Sequence, residues 1–195
     1  MQKNICGLLL AAGSATRFGE QKLIYPLSSG TYILAKSAST LRKAISNCIA
    51  VVKNDTDEIA KILISLDYKL VINPNPENGI GSSIQCGVSN SKANAWIIAL
   101  ADMPFIQVET VNTIIEHLNN DEKIVAPLYK QQRGNPVGIS SIYKDQLIQL
   151  KDDVGAKNIL QKNKNDLKTF ETDDPGVVQD IDRKQDLELY TATTF

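Results

Sequence analysis

The feature that most constrains this chain is a set of short, nearly continuous apolar runs separated by stretches of helical periodicity. Asn4–Ala11, Cys48–Val52 and Ala95–Ala101 are apolar almost throughout rather than at alternate positions. A strand of that kind must be covered on both faces, which points to a mostly parallel sheet between two helical layers. Between the runs, Tyr32–Ile45 places Ile33, Leu34, Ala38, Leu41, Ala44 and Ile45 at helical spacing. A helix over Thr56–Leu66 is expected, capped by Asp55, and then a strand over Lys69–Ile72 that Asn73-Pro74-Asn75-Pro76 stops. Further helices are expected over Ser82–Ser89, Val108–Leu118, Tyr143–Leu150, Val154–Lys162 and Lys184–Tyr190. Strands are expected over Lys123–Ala126, Val137–Ser140, Leu167–Glu171 and Val177–Gln179. No repeat or long linker divides the pattern, so residues 1–195 read as one three-layer α/β domain. In such sheets ligands lie beyond the carboxyl ends of the strands, and residues just after strands are the first place to look.

Composition narrows the partners. The 195 residues carry 21 Lys+Arg against 22 Asp+Glu, a balance that argues against a nucleic-acid coat or a polybasic membrane anchor. No stretch reaches the ~20 apolar residues that cross a bilayer, and the short run after Lys3 is only a faint likeness of a secretory leader. Cys6, Cys48 and Cys86 are odd in number and widely spaced, which favours small buried side chains over a disulfide framework or a zinc site and fits a reducing, cytoplasmic compartment. His117 is the only histidine and sits near the end of an expected helix, so histidine-driven chemistry is not expected.

The loop after the first strand, Leu9 to Leu23, is rich in small residues at Ala11–Ala15 and carries the cations Arg17 and Lys22. Exposed backbone N–H groups there could approach an anion. Gly13 and Gly19 are too far apart for the dinucleotide fingerprint, and Glu20 follows Gly19 where a P-loop needs lysine. The bland alternative is a solvated loop with two surface cations. A second glycine-rich segment, Asn73–Gly87, brings Gly79, Gly81, Ser82 and Ser83 to a helix start, where Ser82 or Ser83 can cap the helix or meet a polar ligand. Asp102-Met103-Pro104-Phe105 closes an apolar strand with a carboxylate, a helix cap or a hard oxygen ligand for Mg²⁺. Residues 171–190 carry seven acids and two basic residues, either a solvated acidic face or, at Asp182, a second metal-facing carboxylate.

Together these segments resemble the MobA-like nucleotidyltransferases, most of all the branch containing molybdenum cofactor cytidylyltransferase. The likeness rests on Leu10-Ala11-Ala12-Gly13 followed by Arg17-Phe18-Gly19 and Lys22, on Gly79 and Ser83 at the family's Gly-x-x-x-Ser spacing, on Asp102-Met103-Pro104-Phe105, and on Asp180-Ile181-Asp182. The resemblance implies a Rossmann-like, nucleotide-diphospho-sugar-transferase type of fold. It implies that Leu10, Ala11, Ala12 and Gly13 wrap a nucleoside triphosphate, that Arg17 meets the triphosphate and Lys22 the α-phosphate, and that Gly81, Ser82 and Ser83 hold base and ribose. Asp102 and Asp182 would bind Mg²⁺, with Arg17, Lys22 and Asp102 as the catalytic set. The Ala-Ala-Gly form of the loop implies CTP, and the acceptor implied is molybdopterin, with a molybdoenzyme as client. Two alternatives stand beside it: transfer to a sugar or alditol phosphate, and an accessory protein that binds nucleotide or cofactor without chemistry. The chain departs from the family where Asn135 replaces a histidine and where Arg183-Lys184 replaces Thr-Pro. Arg133 and Lys157 fall where cations could meet an anionic acceptor, though surface cations are the plainer reading.

Overall fold

The computed structural model describes residues 2–13, 18–150 and 155–192. Its eight strands are β1 (Ile5–Leu10), β2 (Cys48–Val52), β3 (Lys69–Ile72), β4 (Ala95–Leu100), β5 (Ile124–Tyr129), β6 (Gln132–Arg133), β7 (Val137–Ser140) and β8 (Leu167–Glu171). The helices are α1 (Ile33–Ala44), α2 (Glu58–Ser65), α3 (Ile80–Ser89), α4 (Val108–Asn119), α5 (Lys144–Ile148), α6 (Lys157–Lys162) and α7 (Lys184–Ala192). One sheet holds all the strands in the order β3-β2-β1-β4-β7-β5-β6, with β8 beside β5. The first four run parallel, β7 lies antiparallel to both β4 and β5, and β8 is parallel to β5. The sheet is mostly parallel, as expected, and is mixed only through the reversed β7 and β6.

The continuous apolar runs explain the layers. Along β1, Leu9 joins a core with Leu34, Ala38 and Leu41 of α1, Leu63 of α2, and Val111, Ile114 and Leu118 of α4. Leu8, one residue earlier, joins the opposite core with Ile84 and Val88 of α3, Tyr143 and Leu147, and Ile159 and Leu160 of α6. Both leucines are fully buried, each contributing roughly 2 kcal/mol of apolar burial. A third, small cluster of Phe18, Ile33 and Ile181, with Phe105, Leu187 and Tyr190 against it, fastens α7 near the site edge.

Several expected boundaries move, each for a local reason. The cap of α2 is Asp57, which accepts from the Ala60 N–H at 2.9 Å, not Asp55; Asn54 Oδ1 instead accepts from the Thr56 and Asp57 N–H groups and holds those residues outside the helix. Helix α3 starts at Ile80 behind Gly79, so Ser82 and Ser83 lie within its first turn and neither caps it. Gly79 adopts φ 80°, ψ −176°, a conformation open in practice only to glycine. Val177–Gln179 is not a strand: Pro175–Val178 forms a 3-10 turn, capped by Asp174 on the Gly176 N–H. Strand β5 runs on through Pro127 to Tyr129, since its pairing with β7 ends at Val125 and the Pro127 carbonyl accepts from the Gly134 N–H. The helix expected over Tyr143–Leu150 divides into a 3-10 turn, Ser141–Tyr143, and the short α5. Helix α6 covers the later part of the expected Val154–Lys162 segment, and Val154 lies outside the described residues. Among the described residues no helix is long and apolar enough to cross a membrane.

Candidate functional site

The strand order creates the site. Chain order runs outward from β1 through β2 to β3, then returns to the other side of β1 at β4. Loops that leave β1 and β4 therefore diverge, opening a crevice at the carboxyl ends, where α/β sheets take ligands. Leu10 and Leu100 are register partners, and the Ala101 N–H donates to the Leu10 carbonyl at 3.2 Å. The segments carrying Ala11–Gly13 and Asp102 thus emerge side by side.

A cavity of about 460 Å³ occupies this crevice. Its walls come from the first loop (Leu10, Ala11, Ala12, Gly13, Lys22, Leu23), the second glycine-rich segment (Pro76, Glu77, Gly79, Ile80, Ser83), the end of β4 (Leu100, Asp102) and the C-terminal region (Asp182). Four stretches far apart in sequence share one hollow, large enough for a nucleotide-sized ligand. A smaller cavity of about 230 Å³ shares Ala11, Gly13, Lys22 and Leu23 and adds Glu20, Gln21, Lys53 and Asp57. Lys22 stands in the wall between the two.

Electrostatics concentrate on Lys22. It opens a 3-10 turn, Lys22–Ile24, and only 9% of it is exposed. Its Nζ donates to Asp102 Oδ2 at 2.8 Å and reaches Asp182 Oδ1 at 3.5 Å. A nearly buried ammonium is tolerable because two carboxylates face it. Backbone bonds fix the pair: the Ile181 N–H donates to the Asp102 carbonyl at 3.0 Å, and the fully buried Ile181 anchors that contact. Asp186, at the third position of α7, accepts from the Asp182 and Arg183 N–H groups at 2.8 and 2.6 Å. That is one half of a capping box, and it sets the start of α7 without the Thr-Pro pair. Asp180 is exposed as a residue, yet desolvation of its carboxyl, followed by the charges of Asp102 and Asp182, pushes it above the usual carboxylate range.

The second segment is built around Asn73, which by sequence pattern is no more than a strand stop. It is 2% exposed; its amide donates to Ser82 Oγ at 2.8 Å and Ser83 Oγ at 3.0 Å, while its Oδ1 accepts from the Asn75 N–H at 3.0 Å. An asparagine directly before proline at a strand end is the one local signal of that role. Ser82 Oγ also donates to the Gly79 carbonyl at 2.7 Å, so its hydroxyl serves the turn. Ser83 lines the large cavity, whereas Gly81 is buried within α3 and neither it nor Ser82 belongs to the wall.

Of the residues expected from sequence, Leu10, Ala11, Ala12, Gly13, Lys22, Ser83, Asp102 and Asp182 meet at one cavity. Arg17 lies outside the described residues. Asn135 is half-buried, its N–H donating to the Val177 carbonyl at 2.8 Å, and Arg133 and Lys157 are exposed. His117 stacks on Phe170, their ring centroids 5.7 Å apart, and Trp96 is fully buried in β4. Among the described residues no group of three or more His, Cys, Asp or Glu forms a metal cage. Among the described residues, Asp102 and Asp182 are the carboxylates that face Lys22 together, and their oxygen-only chemistry suits a hard divalent ion that also takes ligands from phosphate and water. That a Lys ammonium already bridges them marks the spot as one that stabilises positive charge.

The family model described as MobA-like NTP transferase domain matches residues 7–167. The purine catabolism protein PucB of Bacillus subtilis (strain 168) is 26% identical over 198 residues, covering 95% of each chain. A protein named probable molybdenum cofactor guanylyltransferase, from Bacillus mycoides (strain KBAB4), is 23% identical over 63% of this chain and 60% of its own length. Among solved structures, Rv0371C of Mycobacterium tuberculosis H37Rv in complex with manganese superposes with a TM-score of 0.82 at 19% identity, covering 98% of this chain and 100% of that one.

Proposed function

This chain belongs to the family of MobA-like NTP transferase domains, and from that premise we propose that it transfers a nucleoside monophosphate, from CTP by preference, to a phosphorylated acceptor of the molybdopterin type. The single observation that carries the proposal is the meeting of Lys22, Asp102 and Asp182 beside the backbone of Ala11–Gly13 in one nucleotide-sized cavity. Small residues at Ala11–Gly13 let main-chain groups approach the nucleotide. In this reading Lys22 neutralises the α-phosphate, and the family resemblance gives Arg17 the rest of the triphosphate. Ser83, next to Gly79 and Ile80, lies on the wall that would take base and ribose.

In the reaction proposed, a phosphate oxygen of the acceptor attacks the α-phosphorus in line. The new P–O bond forms as the bond to the bridging oxygen of the β-phosphate breaks, and pyrophosphate leaves with the electron pair. Such transfer depends on positioning and on charge stabilisation more than on proton transfer, in keeping with walls that contain carboxylates, a lysine and a serine but no histidine. Asp102 and Asp182 would hold Mg²⁺, which when bound supplies positive charge against the polyphosphate. The manganese complex of mycobacterial Rv0371C supports a divalent ion in this fold. The preference for CTP rests on Ala12, whose place is glycine in the GTP-using form of the loop; the guanylyltransferase name of a relative makes GTP the competitor to test. Three unpaired cysteines, two of them buried, favour a reducing cytoplasmic setting.

The test is pyrophosphate release with Mg²⁺, CTP or GTP, and a panel holding molybdopterin, sugar phosphates and alditol phosphates. Asp102→Ala should lower turnover at least about a hundredfold. Unimpaired turnover in that variant removes the mechanism, and nucleotide binding without release across the panel favours an accessory role.

A further inference from the structure

We propose that Lys22 is a resident counter-ion that occupies the divalent-cation position until nucleotide arrives, so that metal and nucleotide bind as coupled events rather than independently. The inference rests on the reading of Asp102 and Asp182 as the metal-facing pair and adds what this chain's own lysine does toward the metal.

The geometry is specific. Lys22 Nζ lies 2.8 Å from Asp102 Oδ2 and 3.5 Å from Asp182 Oδ1, with 11% of the lysine side chain exposed. A divalent ion binding the same two oxygens must either push the ammonium away or bind beside it against charge repulsion. Moving the ammonium without a new anion would strand a charge in a nearly buried position, which is unfavourable. The position of Lys22 offers an outlet: it lines both the large cavity and the smaller one behind it, so its head can turn from the carboxylates to a phosphate entering at the first loop. Nucleotide thus supplies the replacement partner, and the metal takes the vacated oxygens. Until then the same ammonium keeps Asp102 and Asp182 together, screening their mutual repulsion. Lys22 is therefore a positioning residue before nucleotide binds as well as a phosphate ligand afterwards.

The proposal makes an inverted prediction: removing the lysine damages catalysis yet tightens metal binding. Mn²⁺ affinity, read by electron paramagnetic resonance of the free ion in the absence of nucleotide, should rise about tenfold in Lys22→Gln and in Lys22→Met, the latter keeping the apolar stem. In the wild type, saturating CTP or GTP should tighten Mn²⁺ by at least about fivefold, and the factor should shrink in both variants. Lys53→Gln, which removes a charge from the wall of the smaller cavity, should change Mn²⁺ affinity by less than about twofold. Melting curves establish that each variant is folded, and the linkage in the wild type carries the test if neither Lys22 variant folds. Unchanged or weaker Mn²⁺ binding in a folded Lys22 variant overturns the proposal, as does equal tightening in Lys53→Gln or absence of linkage in the wild type. Asp102→Asn separates this from the underlying reading. If it abolishes Mn²⁺ binding while the Lys22 variants leave it unchanged, only the counter-ion role falls. If Mn²⁺ binding ignores Asp102, the metal site falls with it.

Discussion

Asp174 is 2% exposed, and its carboxylate accepts from the Gln107 N–H and the Thr110 hydroxyl on Oδ2, at 2.9 and 2.7 Å, and from the Gly176 N–H on Oδ1, at 2.9 Å. It ties the start of α4 to the turn that leads into Asp180 and Asp182. Gly176 fits beneath it because any Cβ there would meet the Phe105 carbonyl oxygen at 2.3 Å. Asp174→Ala leaves three donors short of an acceptor, two of them buried, and should cost about 3 kcal/mol, measured as a lower urea midpoint at unchanged slope. The acidic count of residues 171–190 hides this carboxylate among its neighbours. Asp174 and Asp186 act on backbone N–H groups, Asp182 faces Lys22, and nothing in composition separates the three.

At the scale of elements, the outer part of the sheet is joined to its helices through Asp166. This residue ends the 3-10 turn before β8, accepts from Lys123 Nζ at 2.8 Å ahead of β5, and accepts from the Tyr143 hydroxyl ahead of α5. The bond from Lys123, followed by that from Tyr143, holds the Asp166 carboxyl below the usual carboxylate range; Tyr143, desolvated and facing that carboxylate, is pushed up to about 12. A carboxyl whose value is lower in the folded state contributes stability that is present above its unfolded value and lost as pH falls through the folded one. The Tm difference between wild type and Asp166→Asn should therefore be steady near neutrality and shrink below about pH 4. A difference unchanged into strong acid would show that Asp166 contributes by shape rather than charge. Helix boundaries belong to this scale too. Ser82 and Ser83 look like caps in the sequence because serine suits that role, but Gly79 reaches a backbone conformation that serine does not, and the helix begins one turn earlier.

Over the whole molecule, the three cysteines report how uniformly the domain is closed. Cys6 and Cys48 are buried in β1 and β2, and burial pushes the Cys48 thiol up to about 12. Cys86 is half-buried on α3, its thiol raised by the same cause, with Sγ donating to the Ile72 carbonyl at 3.2 Å. A thiol reagent on the native protein should modify Cys86 first, and Cys6 and Cys48 only at the rate of global opening. Rapid modification of Cys48 would mean that the edge formed by β2 and β3 opens independently. Local patterns were enough to establish the three layers, because a strand apolar at consecutive positions has no face left for water and must take helices on both sides. The family resemblance of their motifs also singled out Lys22, Ser83, Asp102 and Asp182 as candidate site residues. The mutual arrangement of those residues came from elsewhere: Lys22 and Asp182 are 160 positions apart, and their approach depends on β4 returning beside β1 and on Ile181 bonding to the Asp102 carbonyl. Spacing along a chain dictates which side of an element a residue occupies, whereas the partner it meets across a crevice is set by packing that no local window contains.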